Sequence, residues 1–162
     1  MINNNELNLE KLKNSDIKFK NADYKFNEKF TVSREIEKMS KSKFNVVSPD
    51  QICEKYGADT LRMYEMFLGP IEQSKPWNTA GISGVHNFLK KFWSLYHDQS
   101  GFCISYSKPN QNALKILHKT IKKVNLDIEK FSFNTCVSAF MICVNELSSI
   151  NEKSFEVLRD LC

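Results

Sequence analysis

Apolar residues recur every three or four positions along most of the second half of the chain, which is the spacing of one helix face. Such series run through residues 82–96, 114–131 and 133–147, and a shorter one covers 155–161. A segment rich in Ser, Gly, Pro and Asn, residues 98–111, separates the first two series and predicts a loop. Helices joined by short loops predict an antiparallel bundle.

Two earlier helices are predicted from the residues that start and stop them. Ser48-Pro49 is typical of a helix start, and Gln51 lies where it would complete a capping box with Ser48. Gly57 should end this helix, and a second helix should follow over residues 59–69.

Between residues 16 and 33 the period changes to two, with apolar or aromatic residues alternating with polar ones. This pattern predicts short strands, with a turn at Asn27-Glu28. Residues 1–15 show no strong period. The predicted fold class is therefore mainly α: an antiparallel helix bundle, preceded by a short β element and a cationic loop at residues 37–43.

Composition is that of a globular protein. Of 162 residues, 41% are hydrophobic and 26% are charged, and the formal net charge is +4. The longest charge-free run, residues 131–145, is shorter than the roughly 20 apolar residues of a membrane span. Residues 1–6 lack the basic and apolar regions of a secretory signal. We therefore expect a cytoplasmic protein with no membrane partner.

The cysteines and histidines do not suggest a metal or catalytic site. Cys136 and Cys143 are seven positions apart in an apolar stretch and so share a helical face, where buried inert thiols are predicted and a metal pair is the alternative. His86, His97 and His118 are scattered singly and are expected at the surface or its boundary. No bound metal and no organic cofactor is predicted.

The cationic loop carries the candidate chemistry. Lys38, Lys41 and Lys43 lie within six positions, so they repel one another and resist compact order until an anion binds. Lysine offers a mobile point charge, and the hydroxyls of Ser40 and Ser42 can donate to phosphate oxygens. Such a loop suits closure over a triphosphate and stabilisation of charge on departing pyrophosphate. The alternative is a solvated run of charge.

Residues 38–42, Lys-Met-Ser-Lys-Ser, match the KMSKS signature of class I aminoacyl-tRNA synthetases letter for letter. The surrounding residues 36–50 and 54–62 resemble leucyl-tRNA synthetases, and 67–77, Phe-Leu-Gly-Pro-Ile-Glu-Gln-Ser-Lys-Pro-Trp, is particularly leucine-type. Residues 112–147 are similar to the anticodon-binding helical domain of that family. A valine or isoleucine synthetase is the alternative, and the segment 67–77 speaks against it.

The resemblance implies a reaction in which ATP activates leucine to leucyl-adenylate, followed by transfer of leucine to leucine tRNA. The family position of Lys41 binds ATP and steadies the activation transition state, so Lys41 and Lys38 are the candidate catalytic residues. The candidate ATP-binding residues are Lys38, Met39, Ser40, Lys41 and Ser42. ATP with Mg is implied as a substrate of the full enzyme.

The resemblance also implies an order of domains. Residues 1–45 would end the catalytic domain and carry a variable insertion and the KMSKS loop. Residues 46–75 would be connective helices that contact the tRNA stem, and residues 76–162 would be part of the anticodon-binding bundle.

Outward cations on the bundle are candidates for contact with tRNA phosphates, although some would be merely solvated. These candidates are Lys90, Lys91, Lys119, Lys122 and Lys123. Trp77, Phe92 and Trp93 either stack on RNA bases or anchor the bundle, and anchoring is the expected role.

The second signature of class I synthetases, His-x-Gly-His, does not occur in the sequence, nor does a Gly-rich strand-to-helix turn. We therefore expect a fragment that does not activate leucine alone, because one cationic loop cannot position the transition state by itself. A complementary N-terminal half is then a candidate partner. The alternative function is a tRNA-binding module without catalysis in isolation.

Overall fold

The computed structural model describes residues 2–3, 6–7 and 36–162. The chain divides into two compact units, Met1–Val46 and Val47–Cys162. In the first unit, strand β1 (Ile2–Asn3) pairs antiparallel with strand β2 (Glu6–Leu7). These strands were not predicted, because residues 1–15 show no strong period. The strands predicted between residues 16 and 33 lie outside the described residues.

The second unit is built mainly from helices, which confirms the predicted fold class. They are α1 (Pro49–Tyr56), α2 (Ala58–Phe67), α3 (Thr79–Tyr96), α4 (Gln111–Glu129), α5 (Phe133–Ser149) and α6 (Phe155–Leu161). The segment 130–132 turns the chain between α4 and α5, which pack against each other as in a helical hairpin. Within the described residues, no helix combines the length and apolar character needed to cross a membrane.

The helix starts differ in detail from the prediction. Pro49 does open α1, but the side chain of Ser48 makes no capping hydrogen bond, so the predicted capping box with Gln51 is wrong. Side-chain caps occur instead at two other helices. The Oδ1 atom of Asn78 accepts from the Ala80 amide at 3.0 Å, and Oδ1 of Asn110 accepts from the Asn112 amide at 2.8 Å. Each bond satisfies one of the amides that a helix start leaves unpaired.

A short hairpin that the pattern did not reveal begins at His97, one residue before the predicted loop 98–111. Strand β3 (His97–Asp98) pairs antiparallel with strand β4 (Gly101–Phe102). The amide of Ser100 donates to Oδ1 of Asp98 at 2.7 Å, and Gly101 has a φ of 108°, a conformation that favours glycine. Strands of two residues are too short to show a period of two, so the sequence carries no alternation signal here.

Phe131 also departs from its predicted place on the face of a helix. The helix α4 ends at Glu129, and Phe131 has a left-handed backbone with a φ of 54° and is 70% exposed. Its amide donates to the carbonyl of Ile128 at 3.0 Å, which closes the turn toward α5. The spacing of three from Ile128 fits both a helix and this turn, so periodicity alone could not separate them.

The helix α3 takes part in two hydrophobic cores. Near its start, Ile82 and Val85 are fully buried with Ile52 of α1 and Tyr64 of α2. Near its end, Leu95 belongs to a larger core that it shares with α4, α5 and α6. The buried members of that core from the other helices are Ala113, Leu117, Cys143, Val144, Leu147, Val157, Leu158 and Leu161.

The helices α2 and α3 approach closely at Gly81. Tyr64 is 2% exposed, and its hydroxyl donates to the carbonyl of Asn78 just before α3. A Cβ atom on Gly81 would lie 2.8 Å from the Tyr64 hydroxyl oxygen and 3.0 Å from a ring carbon. A Cβ atom on Gly84, one turn further along α3, would meet no atom within 4 Å.

We therefore predict opposite effects for Gly81→Ala and Gly84→Ala. Gly81→Ala should lower the free energy of unfolding by about 1–3 kcal/mol, because a buried and hydrogen-bonded tyrosine must move. Gly84→Ala should raise it by about 0.5–1 kcal/mol, because alanine has the better helix propensity. Urea unfolding followed by circular dichroism measures both changes. Equal effects of the two substitutions would contradict the close contact with Tyr64.

Candidate functional site

The signature loop, residues 36–46, contains a tight turn at the KMSKS string. A 3₁₀ turn spans Lys41–Lys43, and the Lys43 amide donates to the carbonyl of Ser40 at 3.1 Å. Phe44 then adopts a left-handed backbone with a φ of 53°. This conformation is uncommon for a bulky residue, so it has to be supported by neighbouring contacts.

Asn45 supplies such contacts. Its Oδ1 atom accepts from the amide of Ser40 at 2.8 Å, and its Nδ2 atom donates to the carbonyl of Lys38 at 3.4 Å. The hydroxyls of Ser40 and Ser42 lie 3.1 Å apart within the same turn. Asn45 therefore shapes the backbone of the KMSKS string. In the sequence, the only signal of this role is the tendency of asparagine to bond nearby backbone in turns.

The three lysines of the loop differ in their partners. The Nζ atom of Lys43 lies 2.7 Å from a carboxylate oxygen of Glu37. Lys38 and Lys41 are exposed, and neither forms an ion pair or side-chain hydrogen bond with any residue that the structure describes. Met39 is 40% exposed. Among the described residues, Lys43 therefore has a partner that balances its charge, whereas the two candidate catalytic ammonium groups have none.

The five bundle lysines predicted to contact tRNA are all exposed, but two of them have partners. Lys91 donates to Oδ1 of Asn145 at 2.7 Å and so links α3 to α5. Lys123 donates to both carboxylate oxygens of Asp127, at 2.5 and 2.6 Å. The other three, which have no polar partner within residues 36–162, are Lys90, Lys119 and Lys122.

Asp127 explains why Lys123 is held in place. Its carboxylate also accepts from the hydroxyl of Thr135 at 2.7 Å, and its main-chain carbonyl accepts from the Ser132 amide at 2.8 Å. These bonds join the end of α4 to the start of α5. The hydrogen bond from Lys123, followed by the one from Thr135, lowers the pKa of the Asp127 carboxyl below its ordinary value.

The aromatic candidates separate into two anchors and one exposed ring. Trp77 donates to the Thr79 hydroxyl at 3.0 Å and meets the ring of Tyr64 edge-on at 5.5 Å, and Phe92 packs against the larger core. Trp93 is 64% exposed. The anchoring role is therefore confirmed for Trp77 and Phe92, while for Trp93 it is wrong.

The predicted burial of the thiols is confirmed. Cys136 and Cys143 are 7% and 0% exposed, and burial raises the pKa of both. His86 and His97 are half-buried and His118 is exposed, as predicted. Among the described residues no group of three or more His, Cys, Asp or Glu side chains is placed to hold a metal ion.

A cleft of about 310 Å³ lies where α1, α2 and α3 meet. Tyr56, Asp59, His86, Lys90 and Trp93 contribute to its walls. Because these residues come from three helices, no local spacing in the sequence signals the cleft.

Comparisons with known proteins identify the family. Residues 18–76 match the family model described as tRNA synthetases class I (I, L, M and V). The leucine–tRNA ligase of Flavobacterium johnsoniae is 62% identical over 158 residues, 96% of this chain and 17% of that protein. The ligase of Christiangramia forsetii is 65% identical over 143 residues, 86% of this chain and 15% of that protein. The chain belongs to the leucine–tRNA ligase family.

The chain corresponds to one segment of these ligases. It spans 15–18% of the length of the curated relatives that it matches, among them the leucine–tRNA ligase of Cytophaga hutchinsonii, 55% identical over 99% of this chain. The family model covers isoleucine, leucine, methionine and valine enzymes. The relatives that match the chain at 62% and 65% identity are leucine enzymes. The alternative of a valine or isoleucine enzyme is thereby disfavoured, as the segment 67–77 predicted.

A solved structure shows the same fold. The crystal structure of the ternary complex of Agrobacterium radiobacter K84 agnB2 LeuRS, tRNA and LeuAMS matches with a TM-score of 0.59 and 24% identity. The match covers 76% of this chain and 18% of that one. At this identity the comparison supports the helical architecture of this segment of the leucine–tRNA ligase family.

The lowered pKa of Asp127 predicts how stability depends on pH. A carboxyl whose pKa is depressed on folding stabilises the protein fully above its ordinary pKa of about 4, and this contribution is lost as pH falls through the folded value. Asp127→Asn should therefore lower the Tm near neutral pH, and the difference between the two Tm curves should shrink as pH falls below the ordinary pKa of about 4.

The exposed Asp50 provides a matched control. Asp50→Asn should shift the Tm far less at every pH, because an exposed charge contributes little. Curves for Asp127→Asn and the unmodified chain that stay parallel from neutral to acid pH would refute the role of the carboxylate charge.

Proposed function

We propose that this chain is the segment of a leucine–tRNA ligase that supplies the ATP- and pyrophosphate-binding KMSKS loop and helices that bind leucine tRNA. Residues 1–45 would complete the catalytic domain, 46–75 would contact the tRNA stem and 76–162 would support the tRNA body. The observation that carries the proposal is the intact KMSKS string in a chain that is 62% identical to a leucine–tRNA ligase over 96% of its length.

In the activation step, a carboxylate oxygen of leucine attacks the α-phosphorus of ATP. The bond to the oxygen that bridges the α- and β-phosphates breaks, and pyrophosphate departs with that electron pair. Negative charge therefore grows on the β- and γ-phosphates, which arrive and leave with Mg²⁺ as part of the substrate. Lys41 and Lys38 stabilise this charge, and neither has an ion-pair partner among residues 36–162.

The remaining loop residues shape the approach to the phosphates. Ser40 and Ser42 present hydroxyls 3.1 Å apart, close enough to contact neighbouring phosphate oxygens. Asn45 holds the backbone from Lys38 to Ser40, and the exposed Met39 lies between these two residues in the chain. Preorganised donors act on the transition state without a further cost of reorganisation.

The transfer step requires leucine tRNA to be held with its terminal ribose at the adenylate. Lys90, Lys119 and Lys122 are the strongest candidates for phosphate contact, because Lys91 and Lys123 are already engaged. Leucine itself and the adenine ring would be bound by the rest of the ligase, so a complementary N-terminal part is the expected partner. We place the reaction in the cytoplasm, where protein synthesis occurs.

The KMSKS assignment is testable in a chimera in which this chain replaces the matching segment of the Flavobacterium johnsoniae ligase. Lys41→Ala should lower the kcat of leucine-dependent ATP–pyrophosphate exchange by about 100-fold or more, the usual effect of removing one donor from a developing anion. The KM for leucine should change little, because the loop is assigned to the phosphates.

Lys43→Ala is the matched control in the same loop. Its charge is balanced by Glu37 at 2.7 Å, and an exposed ion pair is worth ~0–1 kcal/mol, so kcat should fall by less than about five-fold. Equal losses in the two variants would contradict a specific role for Lys41. A fully active Lys41→Ala chimera would exclude the lysine from the activation step.

The second candidate function is a tRNA-binding module that acts without catalysis in isolation. It is favoured by Lys119 and Lys122 on α4, which are exposed and have no polar partner among residues 36–162. We expect the 162-residue chain alone to show no leucine-dependent exchange, yet to bind leucine tRNA better than a non-cognate tRNA.

Titrations of labelled tRNA at several salt concentrations test this expectation. Lys119→Ala and Lys122→Ala should each reduce the slope of log affinity against log salt by about one, whereas Lys123→Met should hardly change it. Equal weak binding to both tRNAs, or none, would contradict an independent binding function. Exchange activity abolished by Lys41→Ala would show instead that the chain is catalytic alone.

A further inference from the structure

The cleft between α1, α2 and α3 is lined by the aromatic ring of Trp93, the cation of Lys90 and the hydrogen-bonding groups of His86 and Asp59. We propose that it binds one unpaired nucleotide of RNA, with the base against Trp93 and a phosphate at Lys90. This inference rests on the proposed binding of tRNA, to which it adds a defined contact.

Trp93 is built as a stacking platform. One face of its indole is covered by the ring of His97, with centroids 3.9 Å apart and planes 2° from parallel. His97 is in turn held edge-on by Phe102 at 5.4 Å, yet Trp93 remains 64% exposed and lines the cleft. An indole fixed on one side and open elsewhere can accept a base with little loss of side-chain freedom. Unstacked bases commonly bind to RNA-binding proteins in this way.

His86 contributes a polar ring edge to the cleft. Its Nδ1 atom lies 3.2 Å from the hydroxyl of Thr60, which also donates to the carbonyl of Tyr56 at 2.7 Å. The other ring nitrogen, Nε2, has no hydrogen-bond partner among residues 36–162. A polar group on the edge of a base can fill this position.

The charges of the cleft match a nucleotide better than a bare anion or an apolar peptide. Lys90 is a cation with no polar partner in the described chain, and Asp59 adds a carboxylate acceptor on the opposite helix. The anionic phosphate of a nucleotide can bind Lys90, and the donor groups of its base can bind Asp59. Gly57 has a φ of 87°, and a Cβ built on it meets nothing within 4 Å, so this wall stays open.

The proposal predicts that substitutions of Trp93 and Lys90 change the salt dependence of RNA binding differently. Trp93→Leu in the full chain should weaken binding of a leucine tRNA transcript about ten-fold and leave the salt slope unchanged, because stacking releases no counterions. Lys90→Ala should weaken binding and reduce the slope by about one. A fully paired RNA duplex should bind the unmodified chain and Trp93→Leu alike, since it offers no unpaired base.

Tyr106→Leu is the matched aromatic control, since Tyr106 is 84% exposed and does not line the cleft. It should leave tRNA affinity within about two-fold of the unmodified chain, and circular dichroism should show that all variants remain folded. If tRNA binds but Trp93→Leu and Tyr106→Leu behave alike, the nucleotide site is refuted while the proposed function stands. If Trp93→Leu also weakens duplex binding ten-fold, the site is refuted as well. If the unmodified chain binds no RNA, the nucleotide site and the independent tRNA-binding function both fail, whereas the KMSKS assignment fails only on the exchange assay of the chimera.

Discussion

The second unit depends on the burial of α3 at both of its ends by different helices. Its first turns pack on α1 and α2 through Ile82 and Val85, and its last turn packs on the larger core through Leu95. The ammonium of Lys153 also donates to the carbonyls of Ser94 and Leu95, both at 2.8 Å, and so satisfies acceptors that a helix end leaves open. The helices α2 and α5 also contact each other, and Met141 of α5 packs against the first core, so α3 and α5 together connect the helices that follow the signature loop with the rest of the bundle.

Buried carboxylates complete the turns of that bundle. Glu152 is 8% exposed and accepts from the amides of Ser154 and Asn110, at 2.8 and 3.4 Å, so it joins the starts of α6 and α4. Burial alone would raise its pKa, but the hydrogen bonds outweigh that effect and the net pKa is lowered. Asp127 does the same work at the turn between α4 and α5. Charged groups at these turns are stable inside because each has several donors.

The cations divide into those that hold the fold together and those that remain available. Lys91 and Lys123 contact partners on the bundle, and Lys43 is balanced by Glu37 in the signature loop. Lys41 and Lys90 have no such partner among the described residues. For a protein proposed to bind ATP and tRNA, this division matters more than the net charge of +4, because only an unengaged ammonium gains much from a phosphate.

The sequence by itself determined the helices, the family and the KMSKS string, because helix periodicity and a short contiguous motif are local properties. It also placed Cys136 and Cys143 inside, since a spacing of seven in an apolar stretch fixes one helical face. Only the tertiary structure decided which lysines are paired, that Trp93 stacks on His97 in the open, and that a cleft forms beside it. The pair of Lys123 with Asp127 has the i,i+4 spacing that a sequence does show, whereas the partner of Lys91 is Asn145 on another helix. Partners of the second kind are chosen by packing between elements, which no local pattern records.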